Sequence, residues 1–208
     1  LEYDQLKSKL GFGVSERLDF LSERKETVNE RDDLSLRYIS LLNCTGKYEE
    51  ALSCLKNRVF HSWEGGEGKV SEQFKFALFG LARKRLKEKK YTEAIKLLEQ
   101  TLVYPENLGE GKLPNVHDNQ AYYLLGRAYR GVSDWEKANK YFQLASEGEL
   151  TPGSVLYYND QPSDYIYFAG LAFAESGNDR LSKKAFNQLI SFGERHFFDE
   201  VEYDYFAV

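Results

Sequence analysis

The chain has 208 residues, 42% hydrophobic and 15% aromatic, with 15 Tyr and 14 Phe supplying the bulk and no Met. Its formal net charge is −5, with acids and bases interspersed. No broad basic surface is therefore expected to neutralise phosphates, which excludes nucleic acid as the expected partner. No run approaches the roughly 18 apolar residues of a membrane span, and no signal peptide opens the sequence.

Residues 1–29 are predicted to hold an N-terminal helical half-repeat or cap, with helix around Leu18 to Leu21. One phrase then returns four times. It reads Lys47-Tyr48-Glu49-Glu50-Ala51, Lys90-Tyr91-Thr92-Glu93-Ala94, Asp134-Trp135-Glu136-Lys137-Ala138 and, more weakly, Asn178-Asp179-Arg180-Leu181-Ser182. Ala51, Ala94, Ala138 and Ser182 are 43, 44 and 44 residues apart. A fixed period in this range is the signature of stacked repeats. Four repeats are predicted over 30–198, and 199–208 read as the start of a further helix cut short by the end of the chain. Leu1 and the apolar-rich tail read as the cut ends of a longer protein.

Each phrase lies between two helical stretches. The first repeat offers Ile39 and Leu42, then Tyr48, Ala51 and Leu55; the second Leu78, Leu81 and Ala82, then Tyr91, Ala94 and Leu98. In the third, Tyr122, Leu125, Gly126 and Tyr129 recur at helical spacing, and Trp135, Ala138, Phe142 and Ala145 share one face of the second helix. Between them Gly131-Val132-Ser133-Asp134 breaks the helix, and Asp134 is placed to cap the next. The fourth offers Ile166, Ala169, Gly170 and Phe173, then Ser182, Phe186 and Leu189, with Asp179 where the others carry an aromatic. Gly46 and Gly177 suit left-handed helix ends. Cys44 and Cys54 fall on successive helices of one repeat and read as buried free thiols, with a disulfide as the minor alternative.

The succession of an aromatic or Leu, Leu-Gly, Tyr, a second-helix Ala, then Phe and Ala resembles the tetratricopeptide repeat. The resemblance implies an all-α, right-handed α-solenoid of about four helix pairs. A tetratricopeptide unit is about 34 residues, so each period here carries a surplus of about ten. The surplus follows the second helix each time: His61 to Lys69, Pro105 to Asp118, and Gly148 to Pro162. Equivalent insertions are expected to project from one edge as a ridge of loops.

These extended loops repeat a tetrapeptide, Gly66-Glu67-Gly68-Lys69 and Gly109-Glu110-Gly111-Lys112. Two readings stay open. It is a turn inherited by duplication, with Trp63 plugging a gap between repeats. Alternatively the ridge is a polar, aromatic ligand edge built from His61, Trp63, Glu64, Glu67, Lys69, Asn107, Glu110, Lys112, His117, Asp118, Tyr158, Asn159, Asp160 and Gln161. A phosphate loop is disfavoured because the Walker spacing and a preceding strand are lacking. Acid pairs such as Glu64 with Glu67 are better read as solvated charges than as general acid and base. No metal-ligand spacing or nucleophile elbow appears, so no catalytic residue, metal or cofactor is assigned and the chain is read as a non-enzyme.

In tetratricopeptide arrays the first helix of each pair lines a concave groove. Alignment on the small residues places Phe76, Phe79 and Arg83 there, then Tyr123, Arg127 and Arg130, then Tyr167. Aromatics interleaved with Arg suit a peptide or an acidic segment; the alternative is pairing of each Arg with an acid of the adjacent repeat. The clamp that grips chaperone tails is not matched, because Gly80 and Leu124 stand where polar groups would be needed.

The loop phrases, in order with Asp204-Tyr205-Phe206-Ala207-Val208, resemble the C-terminal tetratricopeptide region of large, uncharacterised bacterial multidomain proteins with a β-rich N-terminal domain. That resemblance implies a bacterial source, in the cytoplasm or periplasm. It also implies a module that docks its own β-rich domain or another protein or peptide. A second implication is a loop ridge completing a carbohydrate-binding or glycan-processing site whose catalytic groups lie elsewhere; a purely structural spacer is the third reading.

Overall fold

The computed structural model describes residues 1–114, 116–153 and 160–200. Among these the chain is all-α: eleven helices, one 3-10 turn and no strand. The helices are α1 (Glu2–Lys9), α2 (Val14–Ser22), α3 (Lys25–Glu30), α4 (Asp32–Cys44), α5 (Tyr48–Lys56), α6 (Lys69–Lys87), α7 (Tyr91–Gln100), α8 (Asn119–Gly131), α9 (Trp135–Ala145), α10 (Tyr165–Glu175) and α11 (Asp179–His196). They form two compact units. The first comprises Leu1–Lys84 and Val103–Gly111, and the second Arg85–Leu102 with the chain from Lys112 onward.

The 43–44-residue period is written into the backbone at the turns. Left-handed residues close the first helix of each pair at Gly46, Lys89, Ser133 and Gly177, with φ of 76°, 59°, 62° and 75°. The next residue's N–H reaches back to the same carbonyl position in every case. Lys47 donates to Leu42 at 2.9 Å, Lys90 to Arg85 at 2.9 Å, Asp134 to Tyr129 at 3.0 Å and Asn178 to Phe173 at 2.8 Å. These are four Schellman motifs, which satisfy carbonyls that a helix end would otherwise orphan. Asp134 and Asn178 also cap the following helices, accepting from the N–H of Lys137 and Leu181.

In the first unit, α4 and α5 enclose Ile39, Leu42, Ala51 and Leu55, all essentially inaccessible to water, while Phe74, Ala77 and Leu78 of α6 are buried as well. α1 is held by charge. Asp4, 1% exposed, accepts from Arg17 at 2.9 and 2.8 Å and from Arg37 at 2.6 Å. Burial alone would raise the Asp4 pKa; the two guanidiniums outweigh it and hold the carboxyl below its usual range. A buried pair of this kind is a poor source of net stability, yet loss of one partner is expensive because it strands the other.

In the second unit, α7 packs on α8, α8 on α9 and α10, and α9 on α10, which in turn carries α11. Gly126 lets Phe142 lie against the α8 backbone, since a Cβ there would sit 2.6 Å from the ring; Gly170 does the same for Phe186 at 2.7 Å. The small residues Ala94, Ala138 and Ser182 are buried as the period requires.

Three expectations need correction. Trp135 does not join the apolar face of α9: as its first residue it points outward and is 60% exposed. Cys44 and Cys54 are free thiols but not a buried pair, because Cys44, at the last position of α4, is exposed and Cys54 is half-buried. The loop after α7 does not project. Residues 103–111 fold onto the first unit, where Leu108 is buried and Asn107 donates to the carbonyls of Leu55 and Arg58 at 2.8 Å each, stopping α5. The N–H of Phe60 donates to the Asn107 carbonyl at 2.8 Å.

Candidate interaction surfaces

On α8 the spacing of Tyr123, Arg127 and Arg130 at i, i+4 and i+7 puts the three on one side of the helix. The Tyr123 ring is buried, with the rings of Phe142 and Phe168 each 6.1 Å away. Its hydroxyl is a meeting point of charge. Burial raises its pKa most; Arg127 opposes that, Glu175 and Tyr167 add to it, and Arg130 opposes it again. Arg127 is exposed and makes no ion pair among the described residues. Arg130 instead grips Glu175 of α10 through two nitrogens, one at 3.0 Å. The expected alternative, an Arg neutralised by the adjacent repeat, therefore describes Arg130 and not Arg127. Tyr167 of α10 stands 48% exposed, braced by Phe168 and Phe186.

The first unit offers its own version on α6. Phe76 is 45% exposed and its ring lies 6.4 Å from that of Tyr48. Phe79 is buried, and Arg83 is exposed without an ion pair among the described residues. Tyr48 lies across Gly80, where a Cβ would meet its ring at 2.5 Å. The position at which a carboxylate clamp would need a polar group is thus covered by an aromatic.

The loop residues are tied down locally to differing degrees. His61, with an exposed side chain, places its backbone N–H 2.9 Å and its Nδ1 3.1 Å from Asp32, which also accepts from Arg58. Trp63 lies on Gly66 of its own loop, so that a Cβ there would fall 2.2 Å from the indole. Glu110 accepts from the Ser71 hydroxyl at 2.7 Å, and Lys69 donates to the Gly65 carbonyl. Lys112 joins the Leu102 carbonyl, at 3.0 Å, to the buried Asp118. Gln161 clasps the backbone of Glu149, donating at 2.8 Å and accepting at 3.0 Å. Glu64 and Glu67 are exposed without a partner among the described residues, while His117 and Asp160 are half-buried. Tyr158 and Asn159 lie outside the described residues.

The twin tetrapeptides adopt different shapes. In the first copy the second glycine is left-handed (Gly68, φ 75°); in the second it is the first glycine (Gly109, φ 74°). Gly109 also lies so close to Phe60 that a Cβ would come within 2.5 Å of its carbonyl oxygen. Among the described residues no group of three or more His, Cys, Asp or Glu is placed to hold a metal ion, and no helix is long and apolar enough to cross a membrane.

Two features escaped the sequence reading. Glu175 as the partner of Arg130 is a long-range pairing with no local signal. The basic run Arg180, Lys183 and Lys184 follows Asp179 at the start of α11, and only its placement together on one exposed face needed the structure.

The fold and these surfaces define an all-α helix-repeat protein. Residues 121–156, spanning most of α8, all of α9 and the segment after it, match the tetratricopeptide-repeat family model. Two solved structures are also similar. One is MamA, residues 41 to the end, from Desulfovibrio magneticus RS-1, and the other is described as the MamA RS-1 ArsTM double mutant. Both are 19% identical, over 95% of this chain and 94% of theirs, with TM-scores of 0.45 and 0.46 respectively.

Proposed function

We propose that the chain is a protein-interaction scaffold and that the α8–α10 face of its second unit receives a peptide segment carrying a carboxylate. One observation carries the reading. Arg127 is exposed, makes no ion pair among the described residues and acts electrostatically on the Tyr123 hydroxyl, while Arg130 on the same side of α8 is already neutralised by Glu175. A guanidinium and a half-exposed aromatic, Tyr167, that both act on the Tyr123 hydroxyl offer bidentate hydrogen bonding together with ring contact. The β-rich domain implied by the resemblance of the loop phrases is the natural source of such a segment.

Selection from a displayed library of random peptides tests this. Acidic peptides with an aromatic residue should be enriched, and Arg127→Ala should weaken the selected peptides about tenfold or more with no change in unfolding midpoint. No enrichment, or binding indifferent to Arg127→Ala and Tyr167→Ala, would falsify the assignment.

A further inference from the structure

We propose that the outer face of α11 is a second interaction surface, separate from the α8–α10 face, and that it takes an acidic segment of a partner protein. Arg180, Lys183 and Lys184 are exposed in the first two turns of this helix, and none makes an ion pair among the described residues. Asn187, Gln188 and Ser191 continue the same face. In a chain of net charge −5 this is a local concentration of unneutralised positive charge.

Two further observations separate this face from an ordinary solvated one. The N-terminal end of a helix bears partial positive charge and favours acids, which Asp179 supplies at the first position, yet Arg180 follows it at the second against that preference. The equivalent residue of α9, 44 positions earlier, is Glu136, which follows the rule. The face is also not a stacking surface awaiting another helix. Its counterparts on α9 are Glu136, Asn139, Lys140 and Gln143, and all four stay exposed although α9 packs against both α8 and α10. A helix following α11 in the same manner would leave the basic face open.

The chemistry selects the partner. Cations flanked by side-chain amides and a hydroxyl match carboxylates along a polypeptide, with the amides available to its backbone. Exposed Ile190, beside Lys183 and Asn187 on this helix, is too small an apolar surface for insertion among acyl chains.

The test is the anisotropy of a fluorescein-labelled oligoglutamate peptide titrated with the whole chain. Binding is expected, weakening steeply as salt rises. The charge reversal Arg180→Glu, Lys183→Glu, Lys184→Glu should weaken it about tenfold or more, whereas Arg127→Ala should leave it unchanged. The unfolding midpoint of the reversed variant should be unchanged, because all three side chains are exposed. If that variant does not fold, Lys183→Gln with Lys184→Gln serves, with a smaller loss expected. Absence of binding by the wild type overturns the proposal, as does binding that survives the reversal or is lost with Arg127→Ala. Equal affinity for duplex DNA or phosphatidylserine vesicles overturns it too, since the face would then read charge alone.

Discussion

Lys89 and Ser133 hold left-handed backbone at the same turn position where Gly46 and Gly177 stand in the other two repeats. Left-handed backbone disfavours any residue with a Cβ by about 1–2 kcal/mol, and the Schellman hydrogen bonds offset this locally. Lys89→Gly and Ser133→Gly are therefore expected to stabilise the chain by about 0.5–1 kcal/mol each, the greater freedom of glycine in the unfolded state removing part of the gain. Gly46→Ala and Gly177→Ala should destabilise by about 1 kcal/mol. Urea unfolding of the four variants checks the signs, and a loss on Lys89→Gly would show that its side chain supports the turn. The glycines were readable as left-handed helix ends; Ser133 was readable only as part of a break between helices, and Lys89 not at all. Their φ is imposed by register with the other repeats, not by their own preference.

Within an element pair, the close approach of α8 and α9 rests on Gly126 beneath the Phe142 ring. Alanine at 126 would favour the helix by about 1 kcal/mol, but it places a methyl where the ring now lies, and overpacking of this kind costs about 1–3 kcal/mol. Gly126→Ala should be destabilising on balance, and Phe142→Leu in the same chain should recover part of the loss. A double-mutant cycle by thermal unfolding measures the coupling; additive effects would mean that the ring is free to move away. The sequence pattern placed Gly126 and Phe142 on facing helices because both lie at repeat positions with a steric role. It misplaced Trp135, whose spacing from Ala138 and Phe142 fits the buried stripe. As the first helical residue it has no preceding turn to lie against and no partner above it.

On the scale of the whole chain, the first unit is not continuous in sequence: it recruits 103–111 from beyond α7. Leu108 is buried there, Asn107 closes α5, and Glu110 holds Ser71. Replacing 103–111 with Gly and Ser at constant length should destabilise the chain by about 3 kcal/mol or more, from one buried Leu and the orphaned carbonyls of Leu55 and Arg58. Urea unfolding of the whole chain measures it, and a loss below about 1 kcal/mol would show that the segment merely rests on the unit. The period of Ala51, Ala94, Ala138 and Ser182 was enough by itself to establish helix pairs, their turns and their buried small residues. Those features repeat because each pair solves the same local packing problem. What the loops do was decided only by tertiary structure: two identical Gly-Glu-Gly-Lys phrases place left-handed backbone at opposite glycines, and Asn107 serves an earlier helix instead of facing solvent. Glycine permits either shape, and the contact that selects between them comes from residues distant in sequence. The same holds for charge, where Arg130 found Glu175 and Arg127 found no acid among the described residues, a difference that exists only once α8 and α10 lie side by side.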